Sequence, residues 1–284
     1  MTETRRLRRR AAAFPPLLAA IHDPPAELYL RGSGADEILS SPTVAIVGAR
    51  ACSSYGRSVA RSLARETAAA GVAVVSGMAR GIDGEAHRGA LDAGGVTVAV
   101  LGCGVDRDYP AAHADLAHRI CEQGLIVSEY EPGVEPAPWR FPARNRIIAG
   151  LCRATVIVEA RERSGALITA DFALEEGREV LAVPGEITSG LSDGTNALLR
   201  LGATPVTCAG DILELFDLAP LLPKPASLGE AAQALLERLR DGALTADELV
   251  RVSGIDPAQA SAALMELELA RQIALEDGVY RASV

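Results

Sequence analysis

One short segment of the sequence combines cationic and amide side chains with the start of an apolar, helix-like run. Arg144, Asn145 and Arg146 lie within FPARNRIIAGL, residues 141–151. A helix that begins near Arg144 would add unpaired backbone N–H groups and the positive end of its dipole to two guanidinium groups. Because guanidinium groups pair with phosphate through two parallel hydrogen bonds, the segment predicts a polyanion-binding site that needs neither a metal nor a catalytic group.

Composition limits the classes of protein that the chain can belong to. The 284 residues are 49% hydrophobic and 23% charged, with a formal net charge of −9. This length predicts about two domains. No apolar run approaches the roughly 20 residues of a membrane span, so we expect a globular, cytoplasmic protein. Because an acidic chain repels phosphate over most of its surface, any nucleic-acid site must be a local patch.

The five cysteines are scattered and never occur as a Cys-x-x-Cys pair. This spacing argues against a disulfide framework and against a structural zinc. We expect reduced, buried thiols and a protein without a metal or a cofactor.

Short β-branched runs that end in small residues alternate with helical patterns. The predicted strands are 44–47, 72–75, 96–101, 125–127, 155–158 and 180–183, and the predicted helices are 56–70, 82–93, 111–122 and 166–177. Such strand–helix–strand units form right-handed crossovers within a parallel sheet. The pattern predicts an α/β fold, a Rossmann-like doubly wound, mostly parallel sheet. The expected boundaries are an N-terminal segment at 1–40, the Rossmann-like domain at 41–217, a proline-rich linker at 218–226 and a small domain at 227–284.

Four loops follow predicted strands and lead into helices, where doubly wound sheets bind their ligands. They are 48–50, 76–83, 164–169 and 193–196. The candidate ligand contacts in the first three are Gly48, Arg50, Ser76, Gly77, Arg80, Ser164 and Gly165. Asp83 is expected to cap the helix after the second loop. The first loop lacks the Gly-x-Gly-x-x-Gly fingerprint of a dinucleotide site. A glycine after a strand also serves any tight turn, so each loop alone has a purely structural explanation.

Aromatic residues flank the cationic segment. Phe141 and Trp139 lie beside Arg140, which is a further candidate ligand contact. A ring next to basic residues can stack a nucleic-acid base, which is worth roughly 1–3 kcal/mol. The alternative is that both rings belong to the core, and we expect this for Trp139. Asp83 and His87, four residues apart on one predicted helix, can share a hydrogen bond, but without a third partner they indicate a structural pair. We predict binding without an enzymatic reaction.

Several of these motifs together carry a family resemblance. VAIVGAR (44–50), SGMARGIDGEAH (76–87), SEYEPG (128–133), FPARNRIIAGL (141–151), SGALITA (164–170) and AVPG (182–185) occur in this order. The chain resembles the DprA/Smf DNA-processing family over about residues 25–205. The resemblance implies a cytoplasmic homodimer that binds single-stranded DNA, overcomes single-strand-binding protein and helps to load RecA during natural transformation or recombination. It implies a DNA groove lined by Gly48, Arg50, Phe141, Arg144, Asn145 and Arg146.

The last part of the chain predicts a separate small unit. Helices are expected at 229–239, 245–252 and 256–272, followed by a hairpin at 273–282 around Asp277 and Gly278. This is the pattern of a winged helix, and it resembles the C-terminal domain of the same family. The candidate recognition helix offers Asp256, Glu266 and Glu268 against Arg271 alone, so its insertion beside phosphates would be repulsive. We expect a protein-interaction module.

Two other functions remain open at this point. A nucleotide-acting enzyme of the phosphoribohydrolase type would need a Pro-Gly-Gly-x-Gly-Thr loop with a catalytic glutamate, whereas this chain has PGEIT at 184–188. A nucleotide-sensing scaffold would bind small nucleotides but not oligonucleotides.

Overall fold

The computed structural model describes residues 4–220, 228–270, 272–276 and 278–282 of the chain. Contacts between Cα atoms group the chain into two compact units, Met1–Pro220 and Leu221–Val284. Of the predicted proline-rich linker, residues 221–226 lie outside the described residues. No helix in the described ranges is both long enough and apolar enough to cross a membrane.

The first unit is built on a nine-stranded sheet. Its strands are β1 Arg5–Arg8, β2 Glu27–Arg31, β3 Thr43–Val47, β4 Ala73–Ser76, β5 Thr97–Val100, β6 Leu125–Ser128, β7 Ala154–Ile157, β8 Glu179–Ala182 and β9 Thr204–Pro205. The order across the sheet is β1-β2-β6-β5-β4-β3-β7-β8-β9. All pairs from β6 to β9 are parallel. This confirms the predicted doubly wound, mostly parallel sheet.

Helices cover both faces of this sheet. They are α1 Pro16–Ala19, α2 Ser54–Ala69, α3 Ile82–Asp92, α4 Ala114–Gln123, α5 Arg140–Leu151, α6 Gly165–Glu175, α7 Asp193–Arg200 and α8 Ala209–Leu213. One apolar cluster joins the sheet to α1, α5 and α6, and a second joins it to α2, α3 and α8. Because both faces are covered, β3 is buried along its whole length, as a strand with an uninterrupted apolar sequence requires.

The N-terminal residues extend the sheet by an antiparallel hairpin. β1 pairs with β2, and β2 pairs antiparallel with β6. These strands were not predicted, because β1 reads RRLR, in which Leu7 alone is buried. An edge strand with one covered face needs few apolar residues, so the β-branched pattern that marks the central strands is absent here.

The winding direction reverses beside β3. From β3 the chain adds β4, β5 and β6 on one side, and it then returns to place β7, β8 and β9 on the other side. The loops after β3 and β7 therefore diverge, and a crevice opens between them at the carboxyl ends of the strands. This topology places the candidate site.

The second unit contains three helices and a two-stranded sheet, as the sequence predicted. The elements are α9 Glu230–Asp241, α10 Ala246–Ser253, α11 Pro257–Leu269, β10 Ile273–Glu276 and β11 Val279–Ala282. α11 ends at Leu269 and not at Gln272, and Arg271 and Asp277 lie outside the described residues. The predicted capping box is present, since the Thr245 hydroxyl accepts from the Glu248 N–H and the Glu248 carboxylate accepts from the Thr245 N–H.

Two acidic residues of the predicted recognition helix have structural partners. The Asp256 carboxylate caps α11 and accepts a hydrogen bond of 2.9 Å from the N–H of Ala258. The Glu266 carboxylate accepts one of 2.9 Å from the N–H of Gly229. These contacts give two of the acidic residues of the unit a structural role. Their negative charge still opposes an approach to phosphate.

Candidate functional site

A cleft of about 350 Å³ opens at the crevice between the loops after β3 and β7. Its wall includes Gly48, Arg50, Asp83, Phe141, Arg144, Asn145, Arg161, Arg163, Ser164 and Gly165. A smaller cavity of about 80 Å³ adjoins it and shares Arg50, Phe141 and Arg144 with it. The two cavities form the candidate site.

The structure brings most of the predicted site residues together at these cavities. Gly48, Arg50, Phe141, Arg144, Asn145, Ser164 and Gly165 line the larger cleft, and Gly77 and Arg80 line the smaller cavity. Ser76, Arg140 and Arg146 line neither. Position along the chain predicted loops that come together at one pair of cavities, and burial decides which of their side chains can reach a ligand.

Four arginines at the two cavities are available to an anion. Arg50, Arg80, Arg161 and Arg163 are exposed, and none of them forms an ion pair with a carboxylate of the described residues. Arg161 and Arg163 were not predicted. They stand next to Ser164 in the loop after β7, so the rule that placed Arg50 beyond β3 applies equally to them.

Phe141 forms an aromatic wall beside these cations. Its ring stacks on Tyr109 with 5.3 Å between the ring centroids and 24° between the planes. The Arg50 guanidinium carbon lies 5.7 Å from the centroid of the Phe141 ring. Positive charge and a ring face thus occur side by side, and this combination suits a charged, partly aromatic ligand.

Arg144 is a buried structural residue, which corrects the prediction that its guanidinium faces a ligand. α5 begins at Arg140, so Arg144 lies in the second turn and only 4% of it is exposed. Its guanidinium donates to the carbonyls of Gly77 and Val100 and to the Asn145 side chain. Burial lowers the pKa of Arg144 to about 10, against the opposing effect of the Asp83 carboxylate. Arg144 therefore ties the ends of β4 and β5 to α5.

Asp83 is the buried carboxylate that faces Arg144. It lies inside the first turn of α3, where Gly81 is the capping residue without a side-chain hydrogen bond. Its Oδ2 accepts a bond of 3.2 Å from the N–H of Ala79, so Asp83 holds the loop before the helix instead of capping the helix as predicted. Burial raises the pKa of the Asp83 carboxyl, and the Arg144 charge acts in the opposite direction.

Arg146 is neutralised by two carboxylates, which removes the basis for its predicted contact with phosphate. Its two terminal nitrogens bond to the two oxygens of Glu129 at 2.8 and 2.7 Å, and its Nε lies 2.9 Å from Asp23. The group is therefore a cross-link from α5 to the loop after β6 and to the N-terminal region.

Two further predicted residues support the backbone of the site. The Ser76 hydroxyl is fully buried and donates to the carbonyl of Ile46 at 2.7 Å, which corrects its expected exposure to a ligand. The Asn145 side chain donates to the carbonyl of Gly165 at 3.1 Å. α6 begins as predicted, with the Ser164 hydroxyl accepting from the N–H of Ala166. Asn145 thereby couples α5 to the start of α6.

Trp139 and Arg140 directly precede Phe141 in the sequence but do not line the cleft. The expectation that Trp139 is in the core is wrong, since 62% of it is exposed. Arg140 is the first residue of α5 and contacts the Trp139 ring.

Gly81 lets the loop that carries Arg50 approach α3 closely. Its backbone has φ 82° and ψ −130°, a region that side chains other than glycine rarely adopt. A Cβ atom at this position would meet the carbonyl oxygens of Ala49 and Arg50. Glycine is therefore required at position 81 both for its positive φ and for the close approach of the Ala49 and Arg50 carbonyl groups.

We expect Gly81→Ala to lower the free energy of unfolding by about 3 kcal/mol, at the upper end of what backbone strain costs, because the added Cβ also displaces a backbone. Gly71→Ala is the matched control, since Gly71 has φ 91° and open space where its Cβ would lie. We expect the control to cost about 1 kcal/mol in urea denaturation. Equal costs for the two variants would show that the close approach does not matter.

Within the described residues, no group of three or more His, Cys, Asp or Glu side chains is arranged to hold a metal ion. The predicted hydrogen bond between Asp83 and His87 is also not formed, since the His87 ring contacts the Thr97 hydroxyl. The charged and aromatic side chains that line the two cavities and are not buried are those of arginines, Phe141 and Tyr109.

Family models match both units. A model described as DNA recombination-mediator protein A matches residues 6–217, and a model described as the DprA winged helix domain matches residues 219–278. The second match confirms the predicted winged helix. Among curated proteins, the chain is 46% identical to a putative DNA processing protein DprA of Mycobacterium tuberculosis, over 90% of this chain and 68% of that protein. It is 40% identical to protein Smf of Escherichia coli, over 94% of this chain and 74% of that protein.

Solved structures agree with these matches. DNA processing protein A from Streptococcus pneumoniae superposes with a TM-score of 0.71 at 43% identity, over 75% of this chain and 74% of that one. DNA processing protein A from Helicobacter pylori, a structure described for its single-stranded DNA binding mode, superposes with a TM-score of 0.68 at 31% identity, over 77% of this chain and all of that one. The present chain belongs to the DprA/Smf family of DNA-processing proteins.

Proposed function

We propose that this chain binds single-stranded DNA in the cleft between the loops after β3 and β7, and that it acts as a recombination mediator. One observation carries the proposal. Arg50, Arg161 and Arg163 line one cleft, are exposed, and form no ion pair with the described carboxylates. In a chain with a net charge of −9, such a group of unpaired cations is the local patch that phosphate binding requires.

The chemistry of the cleft fits a single strand better than a duplex. The three guanidinium groups can pair with successive phosphates, and the first turn of α6 at Gly165 adds the positive end of a helix dipole. Phe141 and Tyr109 offer ring faces that stack unpaired bases. A duplex keeps its bases stacked inside and presents no base face to these rings.

Arg80 and the backbone of Gly48 and Gly77 complete the proposed contact surface. Arg80 lines the smaller cavity. A Cβ at Gly77 would lie 2.5 Å from an Arg144 nitrogen, so the glycine keeps the floor of this cavity compact. The loops of the proposed groove are positioned by Arg144, Asn145 and Arg146. Ser76 is not part of the contact surface.

The wider role follows the family. The proposal includes a cytoplasmic homodimer that overcomes single-strand-binding protein and helps to load RecA in natural transformation or recombination. The match to a family described as a recombination mediator supports it. The winged-helix unit, with its acidic side chains, is proposed to contact protein partners. We assign the cleft a binding function and no reaction.

The experiment is a titration of a fluorescently labelled 20-residue thymidine oligonucleotide, followed by anisotropy at several salt concentrations. Each neutralised phosphate contributes about −0.7 to the slope of log K against log salt for a single strand, so Arg50, Arg161 and Arg163 together contribute about −2. We expect the triple change Arg50→Ala, Arg161→Ala and Arg163→Ala to make the slope less steep by about 2, which leaves the part contributed by the other proposed phosphate contacts. We expect it to weaken binding at 50 mM salt by roughly 100-fold or more, because the electrostatic contribution is lost.

The matched control removes three exposed arginines elsewhere, through Arg65→Ala, Arg119→Ala and Arg200→Ala. It lowers the net charge equally and should leave the slope unchanged. An equal loss in the control, or equal affinity for a duplex of the same length, would contradict the proposed groove. Binding of mononucleotides without oligonucleotide binding would instead support a nucleotide-sensing scaffold.

A further inference from the structure

The single tryptophan of the chain is on the surface beside the cleft. Only 4% of the 284 residues are aromatic, and 62% of Trp139 is exposed. Exposure of a large ring costs the burial free energy that a core position would provide. The sole tryptophan therefore contributes little to the core, and its surface position requires another explanation.

Trp139 is part of an ordered aromatic and cationic group. Its ring lies edge-on to Tyr130, with 6.5 Å between centroids and 87° between planes. The Arg140 guanidinium carbon lies 4.9 Å from the centroid of each of these rings. We call Tyr130, Trp139 and Arg140 the Trp139 platform. Because both neighbours restrict the indole, part of the entropic cost of ordering it on binding has already been met.

The charge of the Trp139 platform is not cancelled by its surroundings. Arg140 donates to the carbonyl of Glu135 and forms no ion pair with a described carboxylate. Among the nearby acids, Glu129 is paired with Arg146 at 2.7 Å, and Glu135 is paired with Arg107 at 2.9 Å. Among the described residues, Glu131 accepts a hydrogen bond from the Tyr29 hydroxyl at 3.3 Å and forms no ion pair. The Arg140 Nε is buried without a partner among the described residues, and one terminal nitrogen donates to the Glu135 carbonyl, so the other terminal nitrogen is the group left for a phosphate.

The Trp139 platform and the cleft are close along the chain. Phe141, which lines the cleft, is two residues after Trp139, so their Cα atoms are at most about 7 Å apart. Trp139 is at the capping position of α5 without a side-chain hydrogen bond, and its ring is therefore not needed to start the helix. A single strand several nucleotides long that occupies the cleft could span this short distance to the Trp139 platform.

We propose that the Trp139 platform is a second base-stacking site, which binds an unpaired base of the single strand outside the cleft while Arg140 contacts a neighbouring phosphate. The inference rests on the proposed function. A protein surface is the competing occupant, but an unpaired guanidinium between two rings, adjoining a cleft lined by unpaired arginines, matches a nucleic acid in which bases and phosphates alternate.

The test uses two readouts on the full-length chain with a 20-residue thymidine oligonucleotide. Anisotropy of a labelled oligonucleotide reports binding, and the emission of the sole tryptophan reports stacking on the indole. We expect emission to be quenched at the same concentrations at which anisotropy rises. Trp139→Ala should weaken binding on the order of tenfold, within the range that loss of one stacked base produces, and Trp139→Phe should retain most of the affinity.

A second oligonucleotide of equal length that lacks the bases isolates the stacking contribution. Wild type and Trp139→Ala should bind it equally, and Leu174→Ala, which truncates another exposed apolar side chain, should bind both oligonucleotides like wild type. Binding by anisotropy with unchanged emission, or with full affinity in Trp139→Ala, would overturn the inference and leave the proposed function intact. Loss of self-association in Trp139→Ala at unchanged affinity would assign the Trp139 platform to a protein contact. Absence of binding by wild type would reject both proposals.

Discussion

Replacing Arg144 with methionine is expected to destabilise the fold by about 3–5 kcal/mol, the usual cost of removing one partner of a buried charge pair. Methionine fills a similar volume but donates no hydrogen bond. The carbonyl oxygens of Gly77 and Val100 would lose the guanidinium that joins them. The Asp83 carboxyl, whose pKa is already raised by burial, would also lose the positive charge that opposes this effect.

Urea denaturation of Arg144→Met and of the double variant Arg144→Met, Asp83→Asn measures this contribution. The double variant should recover part of the stability, because no buried charge then remains without a partner. Arg80→Met is the matched control, since Arg80 is exposed and its loss should change stability by no more than about 0.5 kcal/mol. Wild-type stability in Arg144→Met together with lost oligonucleotide binding would show that Arg144 is a ligand contact after all.

The FPARNR segment alone does not show whether an arginine supports the fold or contacts a ligand. The spacing of Arg144 and Arg146 predicts two adjacent cations at a helix start. Because α5 begins at Arg140, both residues instead lie beyond its first turn. The partners of these arginines cannot be recognised from the sequence, because Val100 and Asp23 are distant along the chain and come close only in the folded structure. Short-range patterns therefore predicted which loops line the cleft, and long-range packing decides which of their side chains support the fold.

The elements that were predictable are those with a local signal. Buried parallel strands such as β3 have continuous apolar sequences, and the helix start at Ser164 has a capping residue. β1 lacks such a signal, since its strand state depends on pairing with β2. The exposure of Trp139 was missed for a related reason, because its neighbours Tyr130 and Arg140 stabilise the ring at the surface without burying it.

His87 shows a similar long-range dependence, with consequences for pH. Its Nδ1 lies 2.7 Å from the Thr97 hydroxyl, and that hydroxyl donates its one proton to the carbonyl of Val74. Thr97 must therefore accept, so the His87 proton is on Nδ1. The Nε2 atom is buried and has no hydrogen-bond partner among the described residues. Protonation would place a second N–H where no described group accepts it.

This environment should make the stability of the fold strongly dependent on pH. Burial lowers the pKa of His87 from 6.5 to about 3, and the positive charges of Arg144 and Arg88 and the nearby His113 act in the same direction. Between pH 6.5 and about 3 the unfolded chain binds a proton that the folded chain does not. The free energy of unfolding therefore falls as the pH falls through this window, by about 2 kcal/mol at pH 5 and by about 5 kcal/mol once both states are protonated.

Urea denaturation of wild type and His87→Gln at pH 7 and pH 5 isolates this contribution. Glutamine does not titrate, so the loss of stability between the two pH values should be about 2 kcal/mol smaller in the variant than in wild type. Any cost of the substitution itself cancels, because the comparison is made within each protein. The raised pKa of Asp83 acts in both proteins and cancels too. His118→Gln, at an exposed histidine, should keep the wild-type dependence. If His87→Gln lost as much stability as wild type, the folded chain would have to admit a proton at His87, and Nε2 would require an acceptor such as a buried water.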